Sequence, residues 1–339
     1  MKQVYAGIDL HSNNNYLVVI DEQDRRLYER RLANDIEKIL PALQPFKKEL
    51  QGIAVESTFN WYWLVDALQD AGHKAHLVNT SAVKQYEGLK HTDDKWDSFW
   101  LAHMLRLGIL PEGYIYPKEQ RAVRDLLRRR LKYVGQRTAH ILSLQSTLSR
   151  NLGKSMSGRE IKKLREEDAQ KLFSSPHLSL MAVNNIKTIR FLSEIIKDIE
   201  KTVLAEVKLS KDFQILLTIP GVGEILALTI MLEVGDIGRF ARVGNYSSYC
   251  RCVNSKKISN NKKKGENNRK NGNKSLAWAY VEAANFANRF CPEAHRFHQK
   301  KTAKTNSIVA TKALSNKLAR ASYYMLRDQV AFDVNLLFR

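Results

Sequence analysis

Residues 4–33 read VYAGIDLHSNNNYLVVIDEQDRRLYERRLA. Within them VYAGIDLHS, NYLVVID and RRLYERRLA are rich in β-branched, aromatic and aliphatic residues and are separated by Asn, Asp and Gln clusters, so each reads as a strand. The next stretch, DIEKILPALQPFKKEL, reads as a helix opened by Asn34 or Asp35. Three successive strands before a helix predict an antiparallel start. GIAVES then reads as a buried strand, WYWLVDALQDAG as a helix stopped by Gly72, and KAHLVN as a strand. A further helix runs from about Asp94 through LAHMLRLG to a stop at Gly108. This alternation predicts an α/β domain with a mixed sheet over residues 1–117.

Beyond it the pattern turns helical. From Lys118 to Leu152 only Gly135 interrupts, and Leu127, Leu131, Val134, Thr138, Ile141, Gln145 and Leu148 follow a 4-3 spacing. Ile189, Leu192, Ile196, Ile199 and Val203 repeat that spacing. Residues 118–208 are therefore expected to supply two long helices that pair as an antiparallel coiled coil or form a dimer interface, with ordinary core helices as the plainer reading. The segment KSMSGREIKKLREEDAQKLF between them carries no readable chemistry. Residues 209–339 read as mainly helical, broken at IPGVG and at a basic stretch. The IPGVG turn resembles a helix-hairpin-helix element, whose turn amides suit a phosphate backbone. The fold class expected is thus α/β plus all-α.

Charge separates the same regions. Of 339 residues, 55 are Lys or Arg and 35 Asp or Glu. Residues 1–117 hold 13 basic and 16 acidic side chains, so residues 118–339 hold 42 and 19, a net of +23. An excess of that size points to nucleic acid. It is densest in RCVNSKKISNNKKKGENNRKNGNK, residues 251–274, where nine Lys/Arg meet one acid. That stretch reads as a basic loop, either solvated or in contact with phosphates. Lys256, Lys257, Lys262, Lys263, Lys264, Arg269, Lys270 and Lys274 are its candidate nucleic-acid contacts. Cys250, Cys252 and Cys291 are odd in number and lack CxxC spacing, which excludes a disulfide framework or four-Cys zinc site. No apolar run approaches 18 residues and the start has no signal-peptide core, so no membrane span is expected and a cytoplasmic location is.

The candidate chemistry lies in four acids. Asp9 ends the first strand, Glu56 ends the strand AVES, and Asp94 and Asp97 open a helix at i and i+3, on one face. Taken singly, each is a solvated or capping residue, and Asp94 in particular could be an N-cap. Taken together they would repel one another unless divalent cations relieve them, and hard oxygen ligands at strand ends suit Mg²⁺ for phosphodiester chemistry.

The order strand-Asp, strand-Glu in VEST followed by Trp61 and Tyr62, then D-x-x-D, resembles the RuvC-like N-terminal domain of DEDD insertion-sequence transposases, the group that includes the Piv-type DNA invertases. Farther on, IPGVG, GDIGRF, YCRCVNSKKISNNKKKG and KNGNKSLAWAYVEAANFA are similar, in that order, to the transposase domain of the same family. The resemblance implies that Asp9, Glu56, Asp94 and Asp97 are its four acidic catalytic positions and hold Mg²⁺. The family pattern T-D-x-x-D-A meets Thr92-Asp93-Asp94-Lys95-Trp96-Asp97-Ser98 here, so Asp93 is the alternative to Asp94. It further implies a nucleophilic serine before the basic run. Ser259 matches, with Asn260 in place of the usual Gly, and Ser255 is the alternative. The implied function is an RNA-guided DNA transposase or recombinase, a homo-oligomer whose non-coding bridge RNA specifies donor and target DNA. A phosphoserine ester would conserve bond energy for rejoining, with the acid-bound metals as activators if the two domains meet. Two other readings stay open: a metal-dependent hydrolytic nuclease of the Holliday-junction type, and a nucleic-acid-binding protein whose acids cap helices.

Overall fold

The computed structural model describes residues 3–83, 93–207, 210–255, 257–266 and 271–338, and the chain divides into two units, 1–118 and 119–339. The first unit runs β1 (Val4–Leu10), β2 (Asn14–Asp21), β3 (Arg26–Ala33), α1 (Ile36–Leu43), β4 (Leu50–Glu56), α2 (Tyr62–Asp70), β5 (Ala75–Val78), α3 (Thr80–Val83) and α4 (Asp94–Arg106). Its sheet has the order β3-β2-β1-β4-β5. The first three strands are antiparallel as expected, and β4 and β5 join parallel to β1. Of the three inner strands, β1 and β2 are buried on both faces along almost their whole length, which is why their middles read as near-continuous apolar runs. On β2 the alternation is strict: Leu17 and Val19 face α1 and α2, whereas Tyr16, Val18 and Ile20 face α4. The charged, exposed β3 closes the edge against further pairing. The helix expected to extend beyond residue 43 ends there, and a single 3-10 turn, Gln44–Phe46, follows. Pro45 is the cause: it has no N–H to donate to the Pro41 carbonyl, so the α-helical ladder stops although Gln44 itself keeps helical backbone (φ −54°, ψ −43°).

One glycine sets the approach of α4. A Cβ on Gly7 would lie 2.0 Å from the Ser98 carbonyl oxygen, so only glycine lets α4 press flat on β1. Ser98 is fully buried there, its Oγ 3.0 Å from the Tyr16 carbonyl and 2.6 Å from that of Asp94.

The second unit begins with α5 (Lys118–Leu152), α6 (Gly158–Ile161), α7 (Glu166–Gln170) and α8 (Pro176–Val207). The two long helices run antiparallel. Arg130 bonds Glu200 at 2.8 Å, Arg137 bonds Ser193 at 3.1 Å, and His140 meets Asn185 at 2.9 Å, the partner number falling as the α5 number rises. The 4-3 stripe on α8 is consumed within the chain, with Ile189, Leu192, Ile196 and Val203 all buried. On α5 the stripe is less faithful, since Thr138 is exposed and Leu144, outside it, is fully buried. The segment without readable chemistry packs Ile161, Ala169 and Phe173 against Ile141, Leu144 and Ile186, so it plugs one end of the helix pair.

The chain continues through α9 (Lys211–Leu217), α10 (Glu224–Val234), α11 (Val243–Tyr249), β6 (Lys257–Ser259), β7 (Lys262–Gly265), α12 (Lys274–Phe290), α13 (Pro292–Lys304), α14 (Ser307–Asp328) and α15 (Val334–Phe338). Its core centres on Phe213, Tyr246 and Tyr280 and includes the three cysteines as free, buried thiols. In the IPGVG turn Gly221 has φ 87°, and a Cβ there would meet the Ala283 carbonyl and the Ala287 amide at 2.5 Å. That side of the turn is therefore closed by α12. The basic stretch expected as a loop is in part a hairpin, β6 against β7. Asn260 and Asn261 turn it with φ of 49° and 55°, the paired left-handed geometry that matches strand twist and that Asn tolerates. Lys256, Arg269 and Lys270 lie outside the described residues. Among the described residues no helix is long and apolar enough to cross a membrane.

Candidate metal centre and basic hairpin

β1 and β4 run parallel with Ile8 opposite Val55, so Asp9 and Glu56, the next residue on each, come out side by side at the carboxyl ends of the sheet. Side chains at such strand ends face the crevice where α/β folds bind ligands. Asp9 is buried. The Glu56 carboxyl is pushed up to about 8 by burial, by a hydrogen bond with Asp9 and by the charges of Asp9 and Asp97. Asp97, in the first turn of α4, is among the charges that act on Glu56.

The head of α4 divides its aspartates. Asp93 is the N-cap, its Oδ1 accepting from Trp96 N at 2.8 Å. The capping role foreseen for Asp94 thus belongs to its neighbour. Asp94 instead faces β1 through His11, whose Nε2 lies 3.4 Å from Asp94 Oδ2 and 3.3 Å from Asp9 Oδ2. The three donor atoms lie within 4.8 Å of one another. All four sequence-selected acids therefore gather at one end of the first unit. His11 is the residue the sequence reading missed, although its spacing of two from Asp9 puts both on one side of an extended segment. Its main chain is pinned: Asn34 Nδ2 and Asn60 Nδ2 each donate to its carbonyl at 2.9 Å. Four carboxylates and an imidazole whose Nε2 has no hydrogen-bond partner among the described residues form a donor set that fits divalent cations.

In the second unit Ser259 stands at the end of β6, opposite Lys262 and exposed. Ser255 differs, because its Oγ is sealed from solvent without a hydrogen-bond partner among the described residues. Lys257, Lys262 and Lys264 are exposed on the hairpin, and Lys274 is exposed at the first turn of α12. Lys263 lies on β7, but its side chain is outside what is described.

The segment carrying the hairpin is fastened at both ends. Arg251 Nε donates to the Gly272 carbonyl at 3.0 Å, the Asn273 amide donates to the Tyr249 carbonyl at 2.6 Å, and Lys312 Nζ reaches the Arg251 carbonyl. Asn273 caps α12 through its Oδ1 while its Nδ2 donates to Glu233 Oε2 at 2.7 Å. Glu233 is buried and also accepts from Arg124 at 3.2 Å and from Arg128 at 2.6 and 2.8 Å. Burial alone would raise the Glu233 carboxyl, but the Arg128 bonds and the charges of Arg124 and Arg128 outweigh it and hold the group below its ordinary value.

Comparison with known proteins gives two family matches. Residues 6–151 match a transposase model of the DEDD type named for IS110, and residues 213–299 match the transposase IS116/IS110/IS902 family. Together they span more than half the chain. The chain is 26% identical over 284 residues to the transposase for insertion sequence element IS1111A of Coxiella burnetii, covering 82% of this chain and 76% of that protein. It is 23% identical over 294 residues to y4qE of Sinorhizobium fredii, assigned by its name as a transposase, with 84% and 71% covered.

Proposed function

Because the chain belongs to the IS110 family of insertion-sequence transposases, we propose that it cuts and rejoins DNA strands with Mg²⁺ held by Asp9, Glu56, Asp94 and Asp97 and with Ser259 as nucleophile. The observation that carries this reading is the gathering of the four acids at one sheet end, with Glu56 held up to about 8 by Asp9, Asp97 and its own burial. A bound divalent cation would relieve this crowding, as protonation of Glu56 does in its absence. Bound cations would supply a Lewis acid for the phosphoryl oxygens and lower the pKa of an attacking hydroxyl.

The chain's own residues would act as follows. Asp9 and Glu56, fixed on adjacent strands, would hold the cation that neutralises the scissile phosphate, and Asp94 and Asp97 would complete the donor set from a helix whose close approach Gly7 permits. Lys257, Lys262, Lys264 and Lys274, with Lys256, Lys263, Arg269 and Lys270, track the phosphate backbone. As the Ser259 Oγ–P bond forms, a P–O bond of the DNA breaks, and the serine proton ends on the departing nucleotide oxygen. The reverse step, with a hydroxyl of another DNA end attacking phosphorus, returns the serine and joins new partners without an external energy source.

A non-coding bridge RNA as the specifier of donor and target, and a homo-oligomer as the working assembly, follow from the family resemblance, and a net of +23 after residue 117 accommodates RNA and DNA alike. The test is to purify the chain from cells, sequence the nucleic acid bound to it, and supply that RNA with donor and target duplexes in Mg²⁺. Joined products that need RNA, metal and Ser259 support the reading. Free cleaved ends without a protein-linked intermediate favour a hydrolytic nuclease.

A further inference from the structure

His11 lies outside the four-acid pattern, yet its ring enters the cluster. Its Nε2 is sealed from solvent and meets hydrogen-bond geometry with neither Asp9 nor Asp94, although a buried ring nitrogen ordinarily has a partner. The separations of 3.3 and 3.4 Å are long for a direct N–H···O bond. They match neighbouring donors around one divalent ion, which lie about 3.0 to 3.5 Å apart when each bond is about 2.1 Å. The competing cation is Arg31, whose Nη2 is 3.8 Å from Asp94 Oδ2 on a largely exposed side chain that can withdraw into solvent.

We propose that His11 is a ligand, with Asp9 and Asp94, of a divalent cation, and that its nitrogen makes this position prefer Mn²⁺ to Mg²⁺. The inference rests on the reading of the acid cluster as a metal centre and carries it further, to an additional ligand and a class of ion. Mg²⁺ is a hard ion that takes oxygen donors and keeps several waters, whereas imidazole is an ordinary ligand of first-row transition ions. Glu56 and Asp97 offer oxygen alone, so the cluster combines a mixed N,O position with all-oxygen donors.

Metal binding to the full chain without nucleic acid tests this, by calorimetric titration with Mn²⁺ and Mg²⁺ and by pulsed EPR of bound Mn²⁺. The wild type is expected to bind Mn²⁺ at least about tenfold more tightly than Mg²⁺ and to show a coupled ring nitrogen. His11→Ala and His11→Gln are expected to lose the nitrogen signal and most of the Mn²⁺ preference, with Mg²⁺ affinity changed by less than about threefold. Mn²⁺ bound in the wild type without nitrogen coupling would overturn the proposal. So would coupling that survives in both variants, which would assign it to another of the nine histidines. Tighter binding of both ions by His11→Ala would also overturn it, marking the ring as a stand-in for a cation. If Asp9→Asn binds both ions as the wild type does, the metal-centre reading itself fails. If Asp9→Asn abolishes binding and His11→Ala leaves both affinities unchanged, only the part assigned to His11 fails.

Discussion

Asp93 and Asp94, adjacent in sequence, point to different tasks: Asp93 holds the Trp96 amide at 2.8 Å, and Asp94 lies 3.4 Å from the His11 ring. Asp93→Ala is expected to lose about 1 kcal/mol of stability, the ordinary cost of an N-cap, while retaining DNA joining. Asp94→Ala is expected to melt near the wild-type temperature and to lose joining. Thermal melts and a recombination assay on the same preparations check both, and the reversed pattern would move the ligand one residue back.

The raised Glu56 group gives a pH signature. Its folded pKa of about 8 stands above the ordinary 4.5. The stability it contributes is therefore fully present below about 4.5 and is lost as pH rises through 8. Without divalent cation the melting temperature is expected to fall between pH 6 and 9, and Glu56→Gln is expected to flatten that fall. Added Mg²⁺ should raise the melting temperature more at pH 8.5 than at pH 6, since binding needs the carboxylate. A wild-type melting temperature that climbs with pH in chelator contradicts the cluster.

Glu233 is predicted to be structural. It joins α5, α10 and the cap of α12 below the basic segment, and Arg124 beside it is buried. Glu233→Ala takes this carboxylate away from buried Arg124, from Arg128 and from Asn273 at once, and breaking a buried charge network from one side costs about 3–5 kcal/mol. Urea unfolding of the full chain measures the loss, and a cost under about 1 kcal/mol would show that water replaces the carboxylate.

How much of this was legible follows from where the signal lay. The strands β1 and β2 showed because a strand buried on both faces is largely apolar, as YLVVI is in β2. The four acids were selected because they stand at strand ends and in the first turn of a helix and because their order resembles the family pattern, not because spacing alone brings them together. His11 was not, because its partners come from β1 and from α4, far apart in sequence, and the close approach of α4 depends on the absent side chain of Gly7. The division of Asp93 and Asp94 also needed coordinates, since either can cap a helix. The hairpin was hidden because its strands are lysines and its turn is Asn-Asn, so no apolar alternation marked it. The 4-3 stripes were visible, but a stripe states that a face is covered and not by which helix. Ile196 is 3% exposed within the single chain, so Ile196→Asp is expected to unfold the second unit before it could report on any subunit interface.

The hairpin lysines set a salt dependence. Lys257, Lys262 and Lys264 are exposed beside the Ser259 turn. If each neutralises one phosphate, replacing any of them with Ala lowers the slope of log affinity against log salt by about 0.7 to 0.9. Anisotropy titrations of a labelled duplex from 50 to 300 mM salt measure it, and an unchanged slope in the triple variant would leave the hairpin facing solvent.

Ser259 offers the sharpest outcome, because its position permits chemistry without structural side effects. It is exposed at the edge of a two-residue turn, and the turn is held by the backbone of Asn260 and Asn261, not by the hydroxyl. Ser259→Ala should therefore keep the hairpin, the melting temperature and DNA affinity, and lose both a denaturant-resistant protein–DNA adduct and all joining. Asn260→Gly restores the residue that usually follows such a serine and suits φ 49° at least as well, so it should retain the adduct. Asn260→Val forces a β-branched residue into left-handed backbone at about 1–2 kcal/mol and should lower adduct yield by displacing the hydroxyl. Ser255→Ala should change little, since its Oγ is sealed from solvent. Mass spectrometry of the trapped peptide decides between the two serines. A nucleotide on Ser255, or cleaved ends with no attached peptide, would remove Ser259 from the reaction and leave the acids as a hydrolytic centre.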